Sequence, residues 1–216
     1  MSFQKFSWQV LDSGILPGHE NMTIDKWALE EMDSGLIQIP KIRFFQWNKP
    51  TISFGYLMDQ TKVKEWAVEA GHVDYVQRPT AGGAVLHKQT DLSLSLLWPR
   101  KKKILPEHPR ACYEAIHLKI KNALGTFFPN RDFSLHKKEG TADCAAQVAN
   151  SIEETAPVHF SICFATPVCN DVMLGEKKVV GGAMRLTKKS ILYQGHIILD
   201  GGENIPSLIE KISSVF

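Results

Sequence analysis

The chain is poor in the features that most readily betray a function. Four cysteines stand among its 216 residues, at 112, 144, 163 and 169, and no two have the Cys-x-x-Cys spacing of a zinc or redox site. No apolar run approaches the ~20 residues needed to cross a bilayer. The opening residues MSFQKFSWQVLDSG contain no apolar core of a signal peptide. The expected location is therefore cytoplasmic, where thiols stay reduced and one of them is available for chemistry. Charge of one sign is also lacking. With 25 Lys and Arg against 23 Asp and Glu, the net charge of +2 argues for neither a nucleic-acid nor a membrane partner. One basic run, Arg100 to Lys103, reads first as a solvated loop and second as a docking patch for an acidic carrier protein. There is no G-x-G-x-x-G, no P-loop and no H-E-x-x-H, so a Walker or Rossmann nucleotide site and a zincin metal site are excluded. No metal ligand set is expected.

What is present suits an ordinary globular chain: 44% hydrophobic and 22% charged residues, enough to bury a core without disulfides or metals. Apolar periodicity predicts helices over residues 21–32, 63–70, 111–127 and 206–215. Strands are predicted over 8–11, 44–47, 51–56, 73–77, 91–98, 170–174, 178–186 and 191–199, with Gly175-Glu176 as a hairpin turn. In the strand over 91–98, Leu92, Leu94 and Leu96 share one face, and Ser93 and Ser95 the other. The stripe Cys112, Ile116, Ile120, Ala123 and Phe127 reads as core. Residues 137–157 are polar and rich in small side chains, which suits a loop. Strands outnumber helices and many are sequence neighbours. The expected class is α+β, a mixed and largely antiparallel sheet with packed helices, in one domain over residues 1–216.

Three constellations carry candidate chemistry. The first runs from Arg78 through Thr80, Gly82, Gly83, Ala84 and Val85 to His87. A small-residue loop lets a ligand approach backbone N–H groups, which bind an anion or an acyl carbonyl, and Arg78 offers a charge-assisted bond to a phosphate or carboxylate. A plain tight turn is the competing reading. The second is Lys178, Val180, Gly181, Gly182 and Ala183. Glycines inside a strand need a reason, either close approach of a ligand or backbone, or a β-bulge. The third surrounds Cys163 and ends at Asn170-Asp171. A lone cysteine is usually an inert core residue. It becomes a nucleophile where a cation lowers its pKa from about 8.5, and Lys178 follows it by 15 positions.

These blocks, taken in order, resemble a known family. Leu11-Asp12-Ser13-Gly14 with Asn21-Met22-Thr23-Ile24-Asp25 resembles the opening DSG…NMALDEAL helix of the cofactor transferases. That family comprises lipoate–protein ligases, lipoyl/octanoyl transferases and, more distantly, biotin–protein ligases. Ile52 to Tyr56 resembles its SLGxxQ strand, Arg78 to His87 its RRx(S/T)GGGAVxH loop, Lys178 to Ala183 its KIxGxA strand, and Gln194 to Asp200 its HGSILLD block. Gln77, Ala81 and Lys88 depart from the pattern, and the GRGRxGR loop of biotin ligases is absent. The resemblance implies a class II synthetase-like biotin/lipoate ligase catalytic domain. No C-terminal accessory domain is expected. On it, Lys178 matches the lysine that contacts the acyl carbonyl or acyl-adenylate.

Two mechanisms follow from the resemblance. In ATP-dependent ligases, free lipoate is activated as an adenylate with ATP and Mg. In Cys-type octanoyltransferases, a cysteine takes octanoyl from acyl carrier protein as a thioester and needs no cofactor. Cys163-Phe164, its spacing to Lys178, and Arg78-Pro79-Thr80 resemble the Cys-type enzymes, while Gly82-Gly83-Ala84 is ligase-like. The thioester route is the expectation, with Cys163 and Lys178 catalytic. Val85, Leu94 and Val180 are candidates for an acyl tunnel. The implied partners are lipoyl-domain proteins, including 2-oxoacid dehydrogenase acyltransferase subunits and the glycine cleavage H protein, with acyl carrier protein as donor. A non-catalytic binder of lipoate or lipoyl domains is a third reading, motivated by Gln77 and Ala81.

Overall fold

The computed structural model describes residues 7–137 and 167–216. In chain order the elements are β1 (Gln9–Leu16), α1 (Gly18–Ser34), β2 (Lys41–Trp47), β3 (Thr51–Gly55), α2 (Gln60–Glu69), β4 (Asp74–Arg78), β5 (Val85–His87) and β6 (Leu92–Pro99). They continue with α3 (Pro109–Phe127), β7 (Phe133–Leu135), β8 (Val172–Leu174), β9 (Lys177–Leu186), β10 (Ser190–Ile197) and α4 (Ile205–Ser213). Local chemistry sets several ends. Gly35, at φ +95°, closes α1 in the left-handed conformation that glycine adopts without strain. The carboxylate of Asp59 accepts the Thr61 N–H to cap α2, and the Asn204 side chain accepts the Ser207 N–H to cap α4.

The strands form two sheets. The larger has the order β1-β2-β6-β10-β9-β8-β7, and the smaller β4-β3-β5. Among the described residues, only β1 with β2 and β3 with β4 run parallel; every other pair is antiparallel. The expected mixed, largely antiparallel α+β class is the observed one.

Strand alternation assigns the faces. Leu92, Leu94, Leu96 and Trp98 of β6 share a core cluster with Cys112, Ile116 and Ile120 of α3 and with Leu208 and Ile212 of α4. Ser93 and Ser95 point the other way, yet they are buried too. Ser93 accepts a hydrogen bond from Trp47 Nε1, and Ser95 donates to Asp25 of α1. The polar face of β6 is therefore an internal interface, covered by α1 and the small sheet. Helix α2 completes the small sheet's own core, with Val63 and Ala67 against Ile52, Phe54 and Ala84.

Candidate active site

The Thr80–Gly83 stretch leaves β4 and turns over β3. It fits only because residue 55 is a glycine: a Cβ there would lie 2.1 Å from the Gly82 carbonyl oxygen and 2.8 Å from the Ala81 carbonyl carbon. Gly82 sits at φ +91°, and a Cβ on it would touch the Ala183 methyl at 3.6 Å, so the loop lies along β9. Arg78 holds the loop from beneath. Its Nη1 donates to the Ser53 carbonyl (3.1 Å) and Oγ (3.3 Å), and its Nη2 to the carbonyls of Ala81 (2.8 Å) and Gly83 (2.7 Å). Four protein oxygens thus take the donors that the sequence offered to a phosphate or carboxylate.

Thr80, fully buried, donates to Gln194 Oε1 at 2.7 Å. Gln194 passes the connection on, its amide reaching Asp25 Oδ2 at 2.7 Å. Asp25 is ion-paired with Arg43 at 2.9 Å, and Arg43 also donates to Asn21 Oδ1 at 2.6 Å and to Ser13 Oγ at 2.8 Å. The separated blocks Ser13, Asn21 and Asp25 are one buried polar chain that ends on the loop.

A second chain ties the small sheet to the large one. His87 Nε2 lies 2.7 Å from Ser53 Oγ, His87 Nδ1 lies 2.9 Å from His196 Nδ1, and His196 Nε2 faces Asp91 Oδ2 at 3.4 Å. One proton order satisfies every member: Arg78 donates to Ser53, Ser53 to His87, His87 to His196, and His196 to Asp91. Burial, with His196 and Arg78 nearby, holds the pKa of His87 well below the ordinary histidine value. Burial pushes the carboxyl of Asp91 up, but hydrogen bonding and charge from His196 outweigh it, and the net shift is downward.

Lys178 lies near the start of β9, on the α3 side of the sheet. Its Nζ sits 2.8 Å from Asp171 Oδ2, with the two side chains 8% and 0% exposed. Asp171 is held in turn: Oδ1 accepts the Tyr113 hydroxyl at 2.6 Å, and Oδ2 accepts the Val168 N–H at 2.7 Å. Tyr113 accepts the Gly182 N–H at 3.1 Å. His117 stacks on Tyr113 and meets the Tyr193 hydroxyl at 2.9 Å. Burial first, then the Lys178 charge, push the His117 imidazole down to about 3, so it is neutral. Burial and the Asp171 charge push both tyrosine hydroxyls well above their usual range.

A sequence profile described as the lipoyl protein ligase A/B catalytic domain matches residues 17–209. The chain belongs to that family. The octanoyltransferase LipM of Halalkalibacterium halodurans is 31% identical over 202 residues, 92% of this chain and 68% of that protein. LipM of Bacillus subtilis is 29% identical over 202 residues, 93% of this chain and 68% of that protein. Among solved structures, a candidate lipoate protein ligase of T. acidophilum with bound lipoic acid aligns with TM-score 0.63 at 16% identity, covering 97% of this chain and 82% of that one. Lipoate-protein ligase A bound with ATP aligns with TM-score 0.60 at 18% identity, covering 96% and 75%. At such identities the structural likeness speaks for the fold alone.

Within this family member, the expected site residues fall into separate groups. Thr80, Gly82, Gly83 and Ala183 come together where the loop meets β9. Arg78 and His87 are buried at 7% and 5% and bind other protein groups. Leu94 and Val180 have no exposed surface and belong to the core beneath α3. Val85 is half-buried in β5, where it pairs with Ser53. Cys163 lies outside the described residues, as does almost all of the predicted loop over 137–157. The reason for glycine at 182 is a side chain. Gly182 pairs with Gly195, and a Cβ at either would come within about 2.6 Å of the Tyr193 ring or hydroxyl. The register of β9 against β10 is unbroken at Gly181 and Gly182; the bulge lies instead between β8 and β9. Among the described residues, no group of three His, Cys, Asp or Glu is arranged to hold a metal ion.

Sequence reasoning missed Tyr113 and His117, and gave no role to Asp171 and Gln194, which stood inside its motifs. Asp171 carried a signal: Asn170 takes a positive φ of 71°, which asparagine tolerates, in the turn that delivers Asp171 to Lys178. Tyr113 and His117 flank the apolar stripe of α3 one position to its side, where periodicity alone marks only a boundary.

Proposed function

We propose that this chain transfers an octanoyl group to the acceptor lysine of a lipoyl-domain protein, through a thioester on Cys163. The observation that supports it most is Lys178 itself, a nearly buried ammonium with its counter-charge supplied, on the strand whose Ala183 methyl borders the Gly82 loop. The roughly 30% identity to proteins named octanoyltransferase LipM favours the transferase over its alternative.

In this mechanism the Cys163 thiolate attacks the carbonyl carbon of a carrier-bound octanoyl thioester. The carbonyl oxygen becomes an oxyanion, and Lys178 is the group that stabilises it. The carbon–sulfur bond to the carrier breaks, and the carrier leaves as a thiolate that takes a proton from solvent. The neutral amine of the acceptor lysine then attacks the enzyme thioester, Cys163 leaves as thiolate, the amine gives up its proton to solvent, and an amide forms. An eight-carbon chain buried at ~0.8 kcal/mol per CH₂ contributes roughly 5 kcal/mol, enough to discriminate by length. Acyl carrier protein is the donor on this reading. The H protein and 2-oxoacid dehydrogenase subunits are acceptors, and the setting is the cytoplasm. The residues at hand form one catalytic domain.

The second reading is the ATP-dependent lipoate ligase, for which the fold it shares with ATP-bound lipoate-protein ligase A is suited. Against it stands Arg78, whose terminal nitrogens are spent on Ser53, Ala81 and Gly83.

Intact-mass spectrometry of a lipoyl domain separates the two. Incubation with octanoyl-acyl carrier protein and no ATP adds an octanoyl group on the transferase reading, and Cys163→Ala abolishes it. Modification only with free lipoate, ATP and magnesium establishes the ligase.

A further inference from the structure

We propose that Asp171 and Tyr113 are positioning residues that fix the Lys178 ammonium in place; the inference rests on Lys178 acting at the acyl carbonyl. Three elements meet at one phenol. Tyr113, in the first turns of α3, donates to Asp171 at the entrance to β8 and accepts from the Gly182 N–H in β9. The methyl of the next residue, Ala183, lies beside Gly82 of the loop, 3.6 Å from where a Cβ on it would stand. The hydroxyl therefore sets the distance between the carboxylate that holds Lys178 and the part of β9 that borders the loop.

The carboxylate is fully engaged. Lys178, the Tyr113 hydroxyl and the Val168 N–H all point at it, and its own N–H closes the same turn on the Val168 carbonyl at 3.0 Å. Such a carboxylate has little freedom to rotate, and an ammonium paired to it at 2.8 Å inherits the restriction. A purely structural staple has no need of the ammonium. Burying an ion pair costs desolvation that well-packed apolar side chains of the same volume avoid, so a buried pair is weak evidence for a stabilising role. Among the described residues, Tyr113, His117 and Tyr193 are titratable groups that face this pair, and all three are held in their neutral forms by burial first. They shape the site without competing for the carboxylate's charge. Replacing Asp171 by Asn removes the charged anchor that holds the ammonium at 2.8 Å, so Lys178 is held less tightly.

The experiment compares wild type with Asp171→Asn, Asp171→Glu and Tyr113→Phe by two readouts. The first is single-turnover acyl transfer, run both with octanoyl-acyl carrier protein and with lipoate plus ATP, so that it applies whichever chemistry the enzyme performs. Asp171→Asn is expected to lower kcat on the order of 10²-fold with little change in KM, as for a lost oxyanion-stabilising group. Tyr113→Phe should lower kcat about tenfold, and Asp171→Glu should recover part of the loss. The second readout needs no activity. Lys178 is labelled with an amine-reactive reagent and its modification read by mass spectrometry; the labelling rate should rise in Asp171→Asn, where the side chain is no longer held by a carboxylate, and stay near wild type in Asp171→Glu. Unchanged labelling in a folded Asp171→Asn protein overturns the inference, and so does a loss that raises KM and lowers kcat together. Failure of the octanoyl reading shows separately, as wild-type enzyme that transfers nothing from octanoyl-acyl carrier protein.

Discussion

Replacing Gly55 by alanine tests the Gly82 loop at its tightest point. The added methyl would sit 2.1 Å from the Gly82 carbonyl oxygen, 2.8 Å from the Ala81 carbonyl carbon and 2.9 Å from the Gly82 nitrogen. All three are backbone atoms, so no side chain can swing aside. Restoring ordinary contact moves the loop by roughly 1 Å, and a displacement of that size at a positioning element costs about 10²-fold in rate. The overpacking costs about 1–3 kcal/mol, while the stiffer unfolded chain returns about 0.4–1 kcal/mol. A net loss of about 1–2 kcal/mol should lower Tm by roughly 2–8 °C for a chain of this size. The control is Gly125→Ala near the end of α3, where a Cβ meets nothing within 4 Å. Helix propensity should there raise stability by about 0.5–1 kcal/mol and leave the rate alone. Thermal melting and single-turnover transfer on both variants decide the matter. A Gly55→Ala protein with wild-type rate and Tm would refute the account of the loop.

Acidification should destabilise the fold from the histidine range downward. His87 and His117 have folded pKa values below that of the unfolded chain, so each contributes stability that is present above about 6.5 and lost as pH falls, for His117 toward about 3. Asp91, also lowered, adds a loss of the same sign below the ordinary carboxylate value near 3.8. Tm measured between pH 7 and pH 4 should decline, and His117→Gln should flatten the decline; a pH-independent Tm would contradict the burial of both rings. Asp25→Ala leaves Arg43 buried without its carboxylate and should cost about 3–5 kcal/mol in denaturant unfolding. Thr80→Val breaks only the end of that chain, so its stability loss should be about 1 kcal/mol. Its transfer rate should nonetheless fall, and equal losses of stability in the two variants would show that Thr80 is not the terminus of the Asp25 network.

The fold was legible wherever apolar spacing was strong. The stripe from Cys112 to Ala123 lies buried in α3, and the long strands β6, β9 and β10 fall within a residue or two of their predicted ranges. The three-residue strands β5 and β7 were not, because three residues cannot display a period. Nor does sequence separate one sheet from two: β3, β4 and β5 close on themselves, a matter of partner choice between strands of similar composition. At the site, the motif positions were legible but their uses were not. Arg78 and His87 have the chemistry of ligand-binding residues. What assigns them to the interior is the proximity of Ser53, Ala81, Gly83 and His196, and no linear spacing records that.

The two polar chains make the loop depend on distant parts of the molecule. Thr80 is fixed through Gln194 and Asp25 by Arg43, Asn21 and Ser13 in the first elements of the chain. Gly83 and Ala81 are fixed through Arg78 and Ser53 by His87, His196 and Asp91. A short, glycine-containing loop is entropically free on its own, and each ordered residue costs about 1–2 kcal/mol. Directed hydrogen bonds from rigid strands and a helix offset that cost before any ligand arrives, so the backbone N–H groups of the loop are held in one arrangement. The same logic explains why the motif residues are scattered over nearly the whole chain while the loop itself is only a few residues long. Lys178 sits outside both chains, on the α3 side of the sheet, and is fixed by its own set of partners. The loop and the ammonium can therefore be perturbed independently: Thr80→Val should leave the labelling rate of Lys178 unchanged, and Asp171→Asn should leave the loop in place.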